Sequence, residues 1–291
     1  MKYLYKKINE AINTGIQRAL SLDDEDVSII YQHKKISNKA DYFNYLYAYD
    51  QYQEKYKELI DNENFQGCSE LYNSEYLEQK SKTIKYKVKS KEELKELVKN
   101  FDDKKWDDFD LNWIDVSEIT DMSKLFRHLK YFNCNISGWN VSNVINMNNM
   151  FDGCKNFISD LSQWDVSNVI YMNYMFYQCY KFDSDLSQWN ISNVKYMKGL
   201  FYQCYKFNSD LSKWNVSNVI NMNQMFVQCK RFNSDLSKWN VSNVICMIAM
   251  FYGCIKFNSD LSKWKVFNVD EFCNIFKNCP IKEEYKPKFK I

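Results

Sequence analysis

Residues 164–188 read WDVSNVIYMNYMFYQCYKFDSDLSQ, and variants of this string recur on both sides of it. Trp139, Trp164, Trp189, Trp214, Trp239 and Trp264 stand 25 residues apart, and the residues between them repeat in step. Self-similarity at a fixed period of this length marks a stacked array, because one repeat cannot bury its apolar face without its neighbours.

The apolar positions recur as unbroken columns. Val144, Phe151 and Cys154 each return at the same place in the following repeats, Met147 returns until Phe272 replaces it, and Phe157 returns with Leu161. Each column supplies one side chain per layer to a continuous core. Val144, Met147, Met150, Phe151 and Cys154 carry the spacing of a helix stripe, and Ser142 and Asn143 stand where N-cap oxygens are needed. Beyond Cys154 the spacing tightens through Phe157, Leu161, Trp164 and Val166, which suits short strands. Parallel strands repeat at about 4.8 Å and packed helices at about 8–10 Å, so one side should be wider than the other. The expected fold class is therefore α/β: a curved solenoid of 25-residue coils built from short parallel strands and short helices.

The string MFYGCIKFNSDLSKW, residues 250–264, resembles the repeat of BspA-like bacterial surface proteins and the related Mycoplasma lipoprotein repeat family. Those repeats are leucine-rich-repeat-like, and the resemblance runs from about Tyr86 to Cys279. It implies a binding or adhesion scaffold rather than an enzyme.

Outward from the repeats, four regions follow. Residues 1–84 hold an expected amphipathic helix over Met1–Leu22, a tyrosine-rich helix over Ala40–Asn62 and a linker over Glu63–Lys82. Residues 85–109 form an N-terminal cap. There Ser90 and Glu93 have capping-box spacing ahead of Leu94, Leu97, Val98 and Phe101. Residues 110–279 are the repeat array, entered through a degenerate repeat in which Ile114 takes the Trp position and Leu129 the Cys position. Residues 280–291 read as a basic, solvated tail.

Several function classes lose support. A formal charge of +2 over 291 residues offers no global attraction for nucleic acid. The two histidines, His33 and His128, lie in different regions, and no phosphate loop, HExxH helix or EF-hand loop occurs. No enzyme activity and no cofactor or metal is expected. Lys6, Lys7, Glu10 and Arg18 break the first apolar stretch, and the first cysteine is Cys68, so neither a signal peptide nor a lipobox is expected. No window is apolar enough to span a membrane. The expectation is a cytoplasmic protein, with the cell surface as the alternative that the family resemblance implies.

Six of the ten cysteines share one column: Cys154, Cys179, Cys204, Cys229, Cys254 and Cys279. If they sit on helices about 8–10 Å apart, they exceed the roughly 7 Å limit for a disulfide and should be buried, reduced thiols. The Asn143 and Asp160 columns read as ladders that satisfy turn backbone groups, since one Asp per repeat and few glycines do not make a calcium loop.

Function should lie where the repeat varies. Tyr177, Tyr202 and Tyr252 share a column two residues before the cysteines, and Tyr180 and Tyr205 share the column just after them. Lys181, Lys206, Arg231 and Lys256 follow at once. These nine residues form a candidate binding strip for a protein partner with an acidic, partly apolar surface. The alternatives are an adhesin for glycan or host matrix, and an activity seated in residues 1–85.

Overall fold

The computed structural model describes residues 86–98, 111–112 and 114–290. The helices expected over 1–22 and 40–62, and the linker between 63 and 82, lie outside the described residues. By internal contacts the chain divides into two bodies, 1–87 with 109–115, and 88–108 with 116–291.

In the first body, β1 (Tyr86–Lys87) pairs in parallel with β2 (Ile114–Asp115), Tyr86 opposite Ile114. Leu111 and Ile114 are buried.

The second body begins with α1 (Lys91–Val98). The Ser90 hydroxyl accepts the Glu93 N–H at 3.1 Å, and the Glu93 carboxylate reaches back one residue further than a standard capping box, to the Lys89 N–H at 2.8 Å. Leu94 and Val98 are fully buried. The Lys91 ammonium, on the same helix, pairs with Asp121 at 3.0 Å and donates to the Ser123 hydroxyl at 2.6 Å, which ties α1 to the first repeat.

From residue 116 to 279 the described residues contain no helix, which corrects the expectation of a helix over each Val144–Cys154 stretch. Consecutive turns take its place. Met175, Tyr177 and Cys179 close back on the carbonyls of Met172, Tyr174 and Phe176 at 3.0–3.3 Å. The alternate N–H groups of Met172, Tyr174, Phe176 and Gln178 point along the array to the carbonyls of Tyr196, Lys198, Leu200 and Tyr202, at 2.7–3.0 Å. Positive φ at Tyr174 (56°) and Gln178 (58°) turns every second amide outward, and the same two columns are left-handed in the other repeats. A helix would spend all these groups internally. Ser142 and Asn143 accordingly cap nothing. The Ser142 N–H bonds Asn140 two residues back, and the Asn143 amide donates to the Ser117 carbonyl of the preceding repeat at 2.8 Å.

Parallel bridges link Asp121, Asn146, Tyr171, Tyr196, Asn221, Cys246 and Glu271 in turn, within the stretch where a helix was expected. Neighbouring repeats are thus one hydrogen-bonded step apart, about 4.8 Å. The wide helical layer expected to bend the array is absent from residues 116–279.

Side chains stack at the same step. Phe151, Phe176, Phe201, Phe226 and Phe251 lie with centroids 5.5–5.7 Å apart and are fully buried. Each Phe also packs on a second ring in its own repeat, as Phe176 does on Phe182 at 4.1 Å. The buried indole N–H of Trp189 donates to the Leu161 carbonyl at 2.9 Å, and Trp214, Trp239 and Trp264 repeat the bond. Indoles fit this core because their one polar group finds a partner.

Polar columns complete the satisfaction of the backbone. The buried Ser209 hydroxyl accepts the Leu186 N–H at 2.8 Å and donates to Asp185 at 3.0 Å, and Ser234 and Ser259 do the same in the next two repeats. Asp185 also accepts the Ser187 N–H two residues later, at 2.9 Å. The Asn and Asp ladders expected from the repeat are therefore present as hydrogen bonds.

The cysteine column needs a correction of its reasoning. At one backbone step the Cα atoms are about 4.8 Å apart, within disulfide range. All six cysteines are nevertheless free thiols. The Sγ of Cys179, Cys204, Cys229 and Cys254 each meets the carbonyl of Phe151, Phe176, Phe201 and Phe226 at 2.9–3.1 Å. Burial pushes these four thiols well above the ordinary range. Cys279, in the last repeat, is half-buried rather than buried.

The tail is not solvated throughout. Ile281 and Pro287 are buried, and a short 3-10 turn runs over Glu283–Tyr285. The Leu261 N–H, which meets a serine hydroxyl in earlier repeats, bonds the Tyr285 carbonyl at 2.8 Å. Phe289 stacks on Phe272 at 4.7 Å. The tail thus covers part of the last repeat.

Candidate partner-binding surface

The five candidate tyrosines are all half-buried, and Lys181, Lys206, Arg231 and Lys256 are all exposed. Their placement follows from the turn ribbon. Tyr177 and Tyr202 each stand between a buried Phe and a left-handed Gln, and both are half-buried there.

The rings pair along the array. Tyr177 and Tyr202 stack at 4.5 Å with an interplanar angle of 18°, and Tyr180 and Tyr205 stack at 4.9 Å and 20°. The Tyr177 column is then broken by buried Val227 before Tyr252. Tyr174 meets Tyr177 edge-on at 5.7 Å. One face of each of Tyr177, Tyr202, Tyr180 and Tyr205 is taken up by its stacked partner. Burial, and then the neighbouring Tyr202, push the Tyr177 phenol above its ordinary range, and burial followed by Tyr180 does the same to Tyr205. The Tyr177 and Tyr205 hydroxyls therefore keep their protons at neutral pH.

The cations that lie over the rings are not the predicted ones. Lys155 stands 5.4 Å from the Tyr180 centroid and Lys230 4.9 Å from that of Tyr205, so Lys155, Tyr180, Tyr205 and Lys230 form one continuous column. Lys198 lies 5.7 Å from the Tyr174 centroid and Lys277 6.0 Å from that of Tyr252. These contacts were legible in principle, since Lys155 and Lys230 stand one period from Tyr180 and Tyr205. The lysines that cover the rings are neighbours in the column, not neighbours in the sequence. Lys181 and Lys206 border the strip without covering it.

His128 is exposed and left-handed (φ 68°), and its N–H bonds the Asp152 carbonyl. Among the described residues no group of His, Cys, Asp and Glu could hold a metal ion, and no helix is long and apolar enough to cross a membrane.

Two overlapping stretches, residues 92–208 and 184–287, match the family model described as "Mycoplasma protein of unknown function, DUF285". No curated protein and no solved structure matches the chain.

Proposed function

The chain belongs to the Mycoplasma protein family of unknown function DUF285, and on that premise we propose that it is a non-enzymatic repeat scaffold binding a protein partner through the outer surface of a solenoid. The solenoid reading is supported by the parallel bridges at every repeat from Asp121 to Glu271. The observation that carries the binding reading is the column Lys155–Tyr180–Tyr205–Lys230 beside the Tyr177–Tyr202 stack. Pre-stacked rings lose little side-chain entropy on binding, and desolvated tyrosines are frequent interface anchors. Flanking ammonium groups favour a partner with acidic residues around an apolar centre.

The likeness of residues 250–264 to BspA-like surface repeats supports adhesion as a second setting for the same activity. Sugar recognition is the less supported form of it, because stacking closes one face of each ring and Lys155 and Lys230 stand over Tyr180 and Tyr205.

The test is capture of partners from cell lysate by the full chain and by Tyr177→Ala/Tyr202→Ala, with folding of both checked by thermal melting. The double variant should fold, since both rings are half-exposed and Val227 shows the column accepts an aliphatic side chain. It should lose a partner that the parent retains, each anchor contributing about 2 kcal/mol. Lys206→Ala should weaken capture only modestly and in a salt-dependent way. Equal capture by the folded double variant would place the site elsewhere.

A further inference from the structure

A second surface lies on other columns. Lys195, Ile220, Ile245 and Asp270 occupy one repeat position in four successive repeats. Their backbones form an unbroken line of hydrogen bonds, Ile220 to Lys195 at 2.9 Å, Ile245 to Ile220 at 2.9 Å and Asp270 to Ile245 at 3.0 Å. The column bounds a shallow groove of about 590 Å³. Phe267 forms part of the groove lining and is 66% exposed, at a position held by serine in the earlier repeats. Ile245 is 40% exposed. Asn218, Asn243 and Asn268 line the groove, their amide nitrogens held by the serine carbonyls of the preceding repeats at 2.7 Å. Lys195 and Asp270 are exposed and enter no ion pair among the described residues.

The groove is therefore apolar in the middle, positive at one end and negative at the other. Three steps of about 4.8 Å separate the Lys195 and Asp270 columns by about 14 Å. An extended peptide covers the same span in four residue steps of about 3.4 Å, and its first, third and fifth side chains point to one face. We propose that this groove binds an extended peptide segment of a protein partner in which an acidic, an apolar and a basic residue alternate with intervening residues. The acidic side chain meets Lys195, the apolar one enters between Ile220, Ile245 and Phe267, and the basic one meets Asp270. The pattern can run in either chain direction, because charge and not polarity of the backbone sets the orientation. A second copy docked antiparallel would also set Lys195 against Asp270, and sedimentation separates that occupant from the peptide.

The proposal shares no residue with the tyrosine strip, so the two readings fail separately. Fluorescently labelled, capped heptapeptides provide the probe, with leucine at the fourth position, serine elsewhere, and the second and sixth positions glutamate and lysine, both lysine, or both glutamate. Binding to the full chain is followed by anisotropy at low salt. The mixed-charge peptide should bind the parent about fivefold more tightly than either like-charge peptide, the scale of an exposed ion pair made or lost. Lys195→Glu should switch the preference to the two-lysine peptide. Phe267→Ser, which installs the residue of the earlier repeats and so preserves the fold, should weaken every peptide. Equal binding of all three peptides by the parent, or unchanged binding by Phe267→Ser, would overturn the proposal. So would a dimer in sedimentation that Phe267→Ser dissolves, which would assign the groove to self-association.

Discussion

At the scale of single residues, the left-handed columns carry backbone strain. Tyr174, Gly199 and Ala249 share one of them, with φ of 56°, 59° and 52°. A non-glycine residue in this region costs about 1–2 kcal/mol, offset here by the amide bond it directs to the next repeat. Gly199 has a further reason to be glycine, because a Cβ there would lie 2.5 Å from the Tyr174 ring. That ring is held by Tyr177 and Lys198 and cannot step aside freely. Gly199→Ala should therefore destabilise the protein by about 1–3 kcal/mol, the usual range for overpacking. Ala249 shows that the backbone itself accepts alanine, so Tyr174→Ala combined with Gly199→Ala should recover most of the loss. Chemical denaturation of the four proteins of this cycle measures it, and additive effects would refute the steric account.

At the scale of the element, the turns at Asp160, Asp165, Asp185 and Asn190 are each closed by a side-chain oxygen that accepts an N–H two residues on. In Asp160, Asp185, Asp210 and Asp235 the carboxyl is held below its ordinary range, first by the backbone N–H of the following serine. The sign follows directly. A carboxyl whose folded value is lowered contributes stability above the unfolded value and loses it as the pH falls through the folded one. The denaturation midpoint should thus be flat near neutrality and fall from about pH 4 downward. Asp210→Asn with Asp235→Asn keeps the acceptor without the titration, as Asn215 and Asn240 do for Ser217 and Ser242. That variant should show a shallower acid loss, and an unchanged acid profile would mean the ladder is not its source.

At the scale of the molecule, repeats 116–279 interact through nearest neighbours, with bonds running from one repeat to the next along each column. Removing residues 190–214, one whole period, joins Trp189 to Asn215 and leaves every column in register. The shortened chain should fold, with a denaturant slope reduced by one repeat's share of buried surface. Removing 190–213 instead shifts all later columns by one position and should prevent folding of the part beyond the junction. Equal behaviour of the two deletions would contradict a register-locked stack.

The sequence alone determined the period, the core columns, the Ser90 side-chain cap on the Glu93 N–H, and the partly exposed setting of Tyr177, Tyr180, Tyr202, Tyr205 and Tyr252. Each of these follows from side-chain polarity repeated at a constant interval, which is a one-dimensional property. It could not distinguish a helix from a ribbon of consecutive turns over Met172–Cys179. Both bury positions at i, i+3, i+4 and i+7, and they differ only in where the alternate amides go. That choice belongs to the tertiary structure, because the amides of Met172, Tyr174, Phe176 and Gln178 find carbonyls in the next repeat and in no segment of their own. The same choice set the step at about 4.8 Å, placed Lys155 and Lys230 over the rings, and lined up Lys195 with Asp270 across a groove. Contacts between residues 25 or 75 positions apart become physical only once the step between repeats is known.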